Sequence, residues 1–261
     1  MRLIPAIVLF TLFSCNNAGK KETMPMPGAY TMLSRTVNDG KKDTTYTNLK
    51  ELKIYTDDHM MYVVVNPADS VSGFGIGTYS ADTGTVVEKL MYRASDTSAT
   101  STAAGFFLQI EKTPKGYKQL MPGISSEGKK LKITEEYESV GAAVKSPLDG
   151  AWKAINVYAI KGKDTVTTKI AQYKTYYAGN FMFGHTYMDS TNKLHTGMGY
   201  GTFEMNGTNK VKESVSASNY YQVRGKSFDI DIEMNGTDEF TQTITNTDGS
   251  KDVELYQRLK K

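Results

Sequence analysis

Phe228-Asp229-Ile230-Asp231-Ile232-Glu233 alternates an apolar residue with a carboxylate three times in succession. A period of two is that of a β-strand, so Phe228, Ile230 and Ile232 are expected to face a core while the acids face water. Phe106-Phe107-Leu108-Gln109-Ile110-Glu111 lies about 122 residues earlier and reads the same way, with Phe106, Leu108 and Ile110 inward. Around this pair the match extends in order. Gly28-Ala29-Tyr30 returns as Gly150-Ala151-Trp152, and Gly73-Phe74-Gly75-Ile76-Gly77-Thr78-Tyr79 returns as Gly197-Met198-Gly199-Tyr200-Gly201-Thr202-Phe203. An offset this long is no solenoid period; it predicts two complete domains, each with its own core.

Working outward, the first copy offers eight candidate strands between Ala29 and Glu138 and the second eight between Ala151 and Arg258. Turn residues separate them, among them Asp39-Gly40, Asp57-Asp58 and Lys115-Gly116. Asn206-Gly207, Asn235-Gly236 and Asp248-Gly249 read as type I′ hairpins. No segment carries helical periodicity. The expected fold is all-β: two tandem antiparallel eight-stranded up-and-down barrels, over residues 27–139 and 148–261, joined by a linker at 140–147. The strand His59-Met60-Met61-Tyr62-Val63-Val64-Val65 is apolar on both parities, so its inward face cannot be assigned.

The first residues read as a targeting signal. Arg2 precedes an apolar run from Leu3 to Phe13, too short to span a bilayer. The run ends in Leu12-Phe13-Ser14-Cys15, which resembles the lipobox of bacterial lipoproteins, and Cys15 is the chain's one cysteine. The resemblance implies a signal peptide at 1–14, lipidation of Cys15, and a polar tether over 15–26 that holds the folded part off a membrane. Asn16 follows the cysteine where an inner-membrane retention signal would place Asp, which favours the outer membrane of a Gram-negative cell envelope. A formal charge of +3, with 31 basic residues interspersed among 28 acidic ones, gives no concentrated basic face and argues against nucleic acid as a partner.

Gly-x-Gly-x-Gly in both copies invites a nucleotide-binding reading, but a phosphate cradle needs a strand-to-helix turn. Here the glycines alternate within a strand, leaving a bare strip that lets the strand coil or a large aromatic lie across it. Gly150-Ala151-Trp152, taken with Glu254-Leu255-Tyr256-Gln257-Arg258 at the chain's end, resembles lipocalin-like domains of the calycin group. That resemblance implies that Arg258 lies over Trp152 and closes one end of the second barrel. The first copy offers Tyr30 with no matching arginine.

Catalytic constellations are missing. There is no Gly-x-Ser-x-Gly or His-Glu-x-x-His, Glu135-Glu136 falls on alternate strand faces, and His59, His185 and His195 show no metal-ligand spacing. The histidines are expected at the surface or rim, and no metal or cofactor is expected. Methionine and aromatic residues give the one positive hint, since Met60-Met61-Tyr62 aligns with Phe181-Met182-Phe183. If the barrels are hollow, Met60, Tyr62, Phe106, Leu108, Phe181, Phe183, Phe228 and Ile230 are the candidate contacts for a small apolar ligand. If they are filled, the chain is expected to contact an envelope protein through its outer surface. Either way it reads as a lipid-anchored, non-enzymatic envelope protein, with a binding module for a small apolar ligand as the leading expectation and the interaction protein as the alternative.

Overall fold

The computed structural model describes residues 26–66, 72–94, 105–126, 129–141 and 145–261. The expected signal peptide, Cys15 and nearly all of the tether lie outside them. Among the described residues there is no helix, and the strands form two closed antiparallel barrels in tandem.

The first barrel comprises β1 (Gly28–Asn38), β2 (Asp43–Tyr46), β3 (Lys50–Tyr55), β4 (His59–Val65), β5 (Gly73–Asp82), β6 (Thr85–Arg93), β7 (Phe106–Lys112), β8 (Gly116–Ser126) and β9 (Lys129–Val140). The second comprises β10 (Gly150–Lys161), β11 (Asp164–Thr167), β12 (Ala171–Tyr177), β13 (Asn180–Met188), β14 (Leu194–Met205), β15 (Lys210–Ser218), β16 (Ser227–Asn235), β17 (Glu239–Thr245) and β18 (Lys251–Arg258). Each sheet runs in sequence order and closes first strand to last, β1 on β9 and β10 on β18. Nine segments make eight barrel positions because the second strand of each copy is broken in two. β3 pairs with Gly28–Thr31 and β2 with Arg35–Asn38, and the break lies beside a bulge at Met32/Ser34. The second copy has the same bulge at Ala154/Asn156. An extra residue on the first strand bends it sharply there, and its neighbour's ladder is interrupted at the bend.

The glycine strip serves both expected purposes. Register shifts fall at Ile76/Gly77 and Tyr200/Gly201, where a Cβ on the glycine would strike the backbone of the next strand. Tyr62 and Phe183 lie across Gly75 and Gly199. The three Asn-Gly and Asp-Gly hairpins are not type I′, however. Gly207, Gly236 and Gly249 take positive φ, but the residue before each does not. The chain closes instead over longer loops, as where Asn206 N–H donates to Lys210 C=O at 2.9 Å and Asn246 N–H to Ser250 C=O at 2.8 Å.

Three apolar cores result. One fills the first barrel around Tyr30, Tyr55, Met60, Leu108, Tyr117 and Tyr137. Met26, at the end of the expected tether, packs into it and is 1% exposed. Another fills the second barrel around Trp152, Tyr176, Phe181, Ile230, Ile232 and Phe240. The third lies between the barrels, where the outer faces of β3–β5 meet those of β12–β14 through Leu52, Ile54, Met61, Val63, Phe74, Tyr173, Met182 and Met198. This seam explains the unreadable parity of β4: Met60 faces the barrel interior, and Met61, Val63 and Val65 face the other barrel.

Candidate functional site

Each barrel interior holds a charged network, and the two are built from equivalent positions. In the first barrel, Glu51 and Lys53 on β3 point inward with Tyr55, because the intervening Leu52 and Ile54 are taken up by the seam. Lys53 Nζ lies 3.2 Å from Glu88 Oε1 and 3.4 Å from Gln119 Oε1, and Tyr55 donates its hydroxyl to the same Glu88 oxygen. The ammonium also sits 5.4 Å from the Tyr137 ring centroid. In the second barrel Lys174 Nζ lies 2.8 Å from Glu213 Oε1 and 2.9 Å from Gln242 Oε1, and Tyr176 donates to Glu213 at 2.5 Å. Its ammonium is 5.5 Å from the Tyr176 ring centroid. Lys53, Glu88, Gln119 and Tyr55 thus correspond to Lys174, Glu213, Gln242 and Tyr176, all of them buried. Burial pulls the Lys53 ammonium down, but the charges of Glu88, Glu135 and Glu51 outweigh it and leave the group above its ordinary value.

Beside this shared half lies a divergent one. In the first barrel Glu51 and Glu135 flank Tyr137, whose hydroxyl oxygen is 2.7 Å from Glu51 Oε1 and 2.9 Å from Glu135 Oε2. Arg35 bridges the pair from the barrel mouth, Nε at 2.6 Å from Glu135 Oε1 and Nη2 at 3.0 Å from Glu51 Oε2. One phenolic hydrogen cannot serve two acceptors fully. The set is complete when Glu51 carries a proton and donates to Tyr137, which then donates to Glu135. Electrostatics agrees: burial, then the charge of Glu135, push the Glu51 carboxyl up to about 7, against the opposing pull of Arg35 and Lys53. In the second barrel the residue equivalent to Glu51 is Gln172, and Val157 stands where Arg35 does. Gln172 Nε2 donates to Glu254 Oε2 at 2.7 Å and also to the Tyr256 hydroxyl. Its amide supplies permanently the neutral donor that Glu51 supplies only when protonated.

The candidate ligand contacts all pack into these interiors. Met60, Leu108, Phe181 and Ile230 are buried in the cores, and Tyr62, Phe106, Phe183 and Phe228 pack against them. A recess of about 50 Å³ beside Met26, Val86 and Ile110 is too small for a lipid chain. A recess of about 360 Å³ lies on the outer face of β14 and β15, lined by Thr202, Phe203, Glu204, Lys212 and Ser214, and is polar.

At the end of the second barrel the Arg258 guanidinium lies 3.9 Å from the centroid of the Trp152 ring. Arg258 Nη1 donates to Asp149 C=O at 2.6 Å and Nε to Thr237 C=O at 2.8 Å, while Trp152 Nε1 donates to Leu148 C=O at 2.7 Å. Gly150 has φ of +138°, and any side chain there would collide with Arg258. In the first barrel Tyr30 stands edge-on to Tyr117, with ring centroids 4.9 Å apart.

The histidines depart from expectation in one case. His59 is 1% exposed rather than at the rim, because it shares the β4 face that the seam covers. Its Nδ1 is 2.7 Å from Asp58 Oδ1, and its Nε2 is buried with no hydrogen-bond partner among the described residues. His185 lies between Phe183 and Tyr187 on β13 with its Nε2 3.0 Å from the Tyr220 hydroxyl, and burial lowers its pKa to about 4. His195, by the β13–β14 turn, bonds Asp189 Oδ2 at 2.6 Å.

Sequence reasoning missed both interior networks. The signal was there in the repeat, since Lys53, Glu88 and Gln119 recur as Lys174, Glu213 and Gln242. Polar residues kept on strand positions in both copies mark something the fold needs.

No protein-family model and no curated protein matches the chain. Among solved structures it is similar to a redesigned β-barrel, at 15% identity and a TM-score of 0.31, over 46% of this chain and 97% of that one. The barrel assignment rests on the strand ladders themselves.

Proposed function

We propose that the chain is a lipid-anchored protein of a Gram-negative cell envelope, on the outer membrane, whose two solid barrels act without catalysis as a rigid interaction module for an envelope partner. The observation that carries this reading is the interior. Both barrels are closed around buried ion pairs whose hydrogen bonds are met by other interior groups, and an apolar guest would have to strand those charges. The candidate apolar contacts serve as core, so the surface is left to carry recognition. Anchoring rests on Leu12-Phe13-Ser14-Cys15, and the anchor would place the barrels at the membrane through a short tether.

Two measurements test the proposal. Metabolic labelling with a palmitate analogue should mark the parent chain and not Cys15→Ala, and equal labelling of both would refute the anchor. Photo-cross-linking in cells, from probes placed over both outer surfaces, should trap one dominant envelope protein. Uniform absence of any trapped partner, together with saturable uptake of a fluorescent fatty acid, would favour the small-ligand reading instead.

A further inference from the structure

Three of the strand contacts across the seam between the barrels pair like with like, while β4 also touches β14 and β10. β3 contacts β12, β4 contacts β13 and β5 contacts β14, and each of these pairs consists of equivalent strands in the two copies. The buried residues follow suit: Ala29 and Ala151, Leu52 and Tyr173, Met61 and Met182, and Phe74 and Met198 are equivalent positions that all enter one cluster. Val140 and Leu259, each three residues after the equivalent Tyr137 and Tyr256, pack against it too. The same patch on both partners, meeting itself, is the geometry of an isologous two-fold dimer.

We infer that this seam is a self-complementary dimer interface carried within one chain, so that the partner the β3–β4–β5 face of the first barrel or the β12–β13–β14 face of the second fits is the equivalent face of another copy, and the linker keeps the two together. The two faces have since diverged as a matched pair. In the first barrel Val63 stands opposite Phe74 across β4 and β5; in the second, Gly184 stands opposite Met198 across β13 and β14. The Phe74 ring lies over Gly184, where a Cβ would sit inside the ring. At the reciprocal site β14, which carries Met198, meets β4, which carries Val63. A bulky ring on one side has been matched by loss of a side chain on the other. Thr175 Oγ1, 3.3 Å from Met61 Sδ, and the Tyr92–Tyr173 ring contact at 5.0 Å complete the seam.

The test uses the full chain, with Ala142, Ala143 and Val144 replaced by a protease recognition sequence and cut after folding. The halves should co-migrate at the mass of the intact chain on gel filtration with light scattering at micromolar concentration. Gly184→Val should weaken their association by ~10-fold or more, because the valine meets the Phe74 ring. Adding Phe74→Met should restore association to within ~3-fold of the parent, because it recreates at this site the Val–Met pairing of the reciprocal one. Halves that separate after cutting would overturn the inference. So would a Gly184→Val protein that associates like the parent, or a double variant no tighter than the single one.

Discussion

The two barrel interiors solve one problem with different residues. Each buries a lysine against a glutamate, a glutamine and a tyrosine. Beside that constant half, the first barrel places Glu51 and Arg35 where the second has Gln172 and Val157. An acid and a base have been added or lost together, so each network keeps one more carboxylate than it has cations: Glu51, Glu88 and Glu135 against Arg35 and Lys53, and Glu213 and Glu254 against Lys174. The excess of one carboxyl group over the cations is thus kept although the residues differ. Lone buried charges are costly, and compensated exchanges are cheap.

The constant half should show the largest effect. Lys53→Met and Lys174→Met each leave a buried glutamate without its cation, and each should cost about 3–5 kcal/mol in urea unfolding. A loss in one barrel and none in the other would break the equivalence of the two networks.

The divergent half should respond to pH in the first barrel alone. Glu51 is held above its ordinary 4.5, at about 7 in the folded chain. A raised acid binds its proton on folding, so its contribution is fully present below the unfolded value and is lost as pH rises through 7. Between pH 4.5 and 7 stability should therefore fall by up to about 3 kcal/mol from this group. Glu51→Gln, which installs the second barrel's residue, should flatten that slope when stability is followed by urea titration at several pH values.

The exchange of Glu51 and Arg35 should also be non-additive. Arg35→Val alone leaves Glu51 and Glu135 facing each other without their bridge, whereas Arg35→Val with Glu51→Gln reproduces the second barrel. A double-mutant cycle should return a coupling of about 1–3 kcal/mol. The smallest effect has the opposite sign. The Tyr117 hydroxyl is buried beside the Tyr55 hydroxyl, which already donates to Glu88, and the residue equivalent to Tyr117 is Phe240. Tyr117→Phe should leave stability unchanged or raise it by about 1 kcal/mol, measured by the same titration.

These residues also mark where the sequence was legible. The repeat, the strand order and the inward face of Phe106–Glu111 and Phe228–Glu233 follow from alternation, because those strands face water on their outer side. Glu51-Leu52-Lys53-Ile54-Tyr55 alternates just as plainly, yet local reading would set its charges outside. The outer face of β3 is covered by the second barrel, so Leu52 and Ile54 enter the seam and Glu51 and Lys53 turn inward. Contact between distant segments decides that orientation, and no local period records it. The same contact hides His59 and makes β4 apolar on both faces. Trp152 and Arg258, by contrast, lie at the ends of their domain's sequence and were legible as a pair because a known pattern links them.

The central claim, that the interiors are structural and the surface functional, is tested most directly by titrating the purified folded chain with a fluorescent fatty acid while native mass spectrometry follows its mass. The account predicts no saturable signal and a mass equal to that of the chain alone. Saturable binding at one molecule per barrel, lost on filling the interior with Leu108→Trp or Ile230→Trp in a chain that still folds, would contradict it.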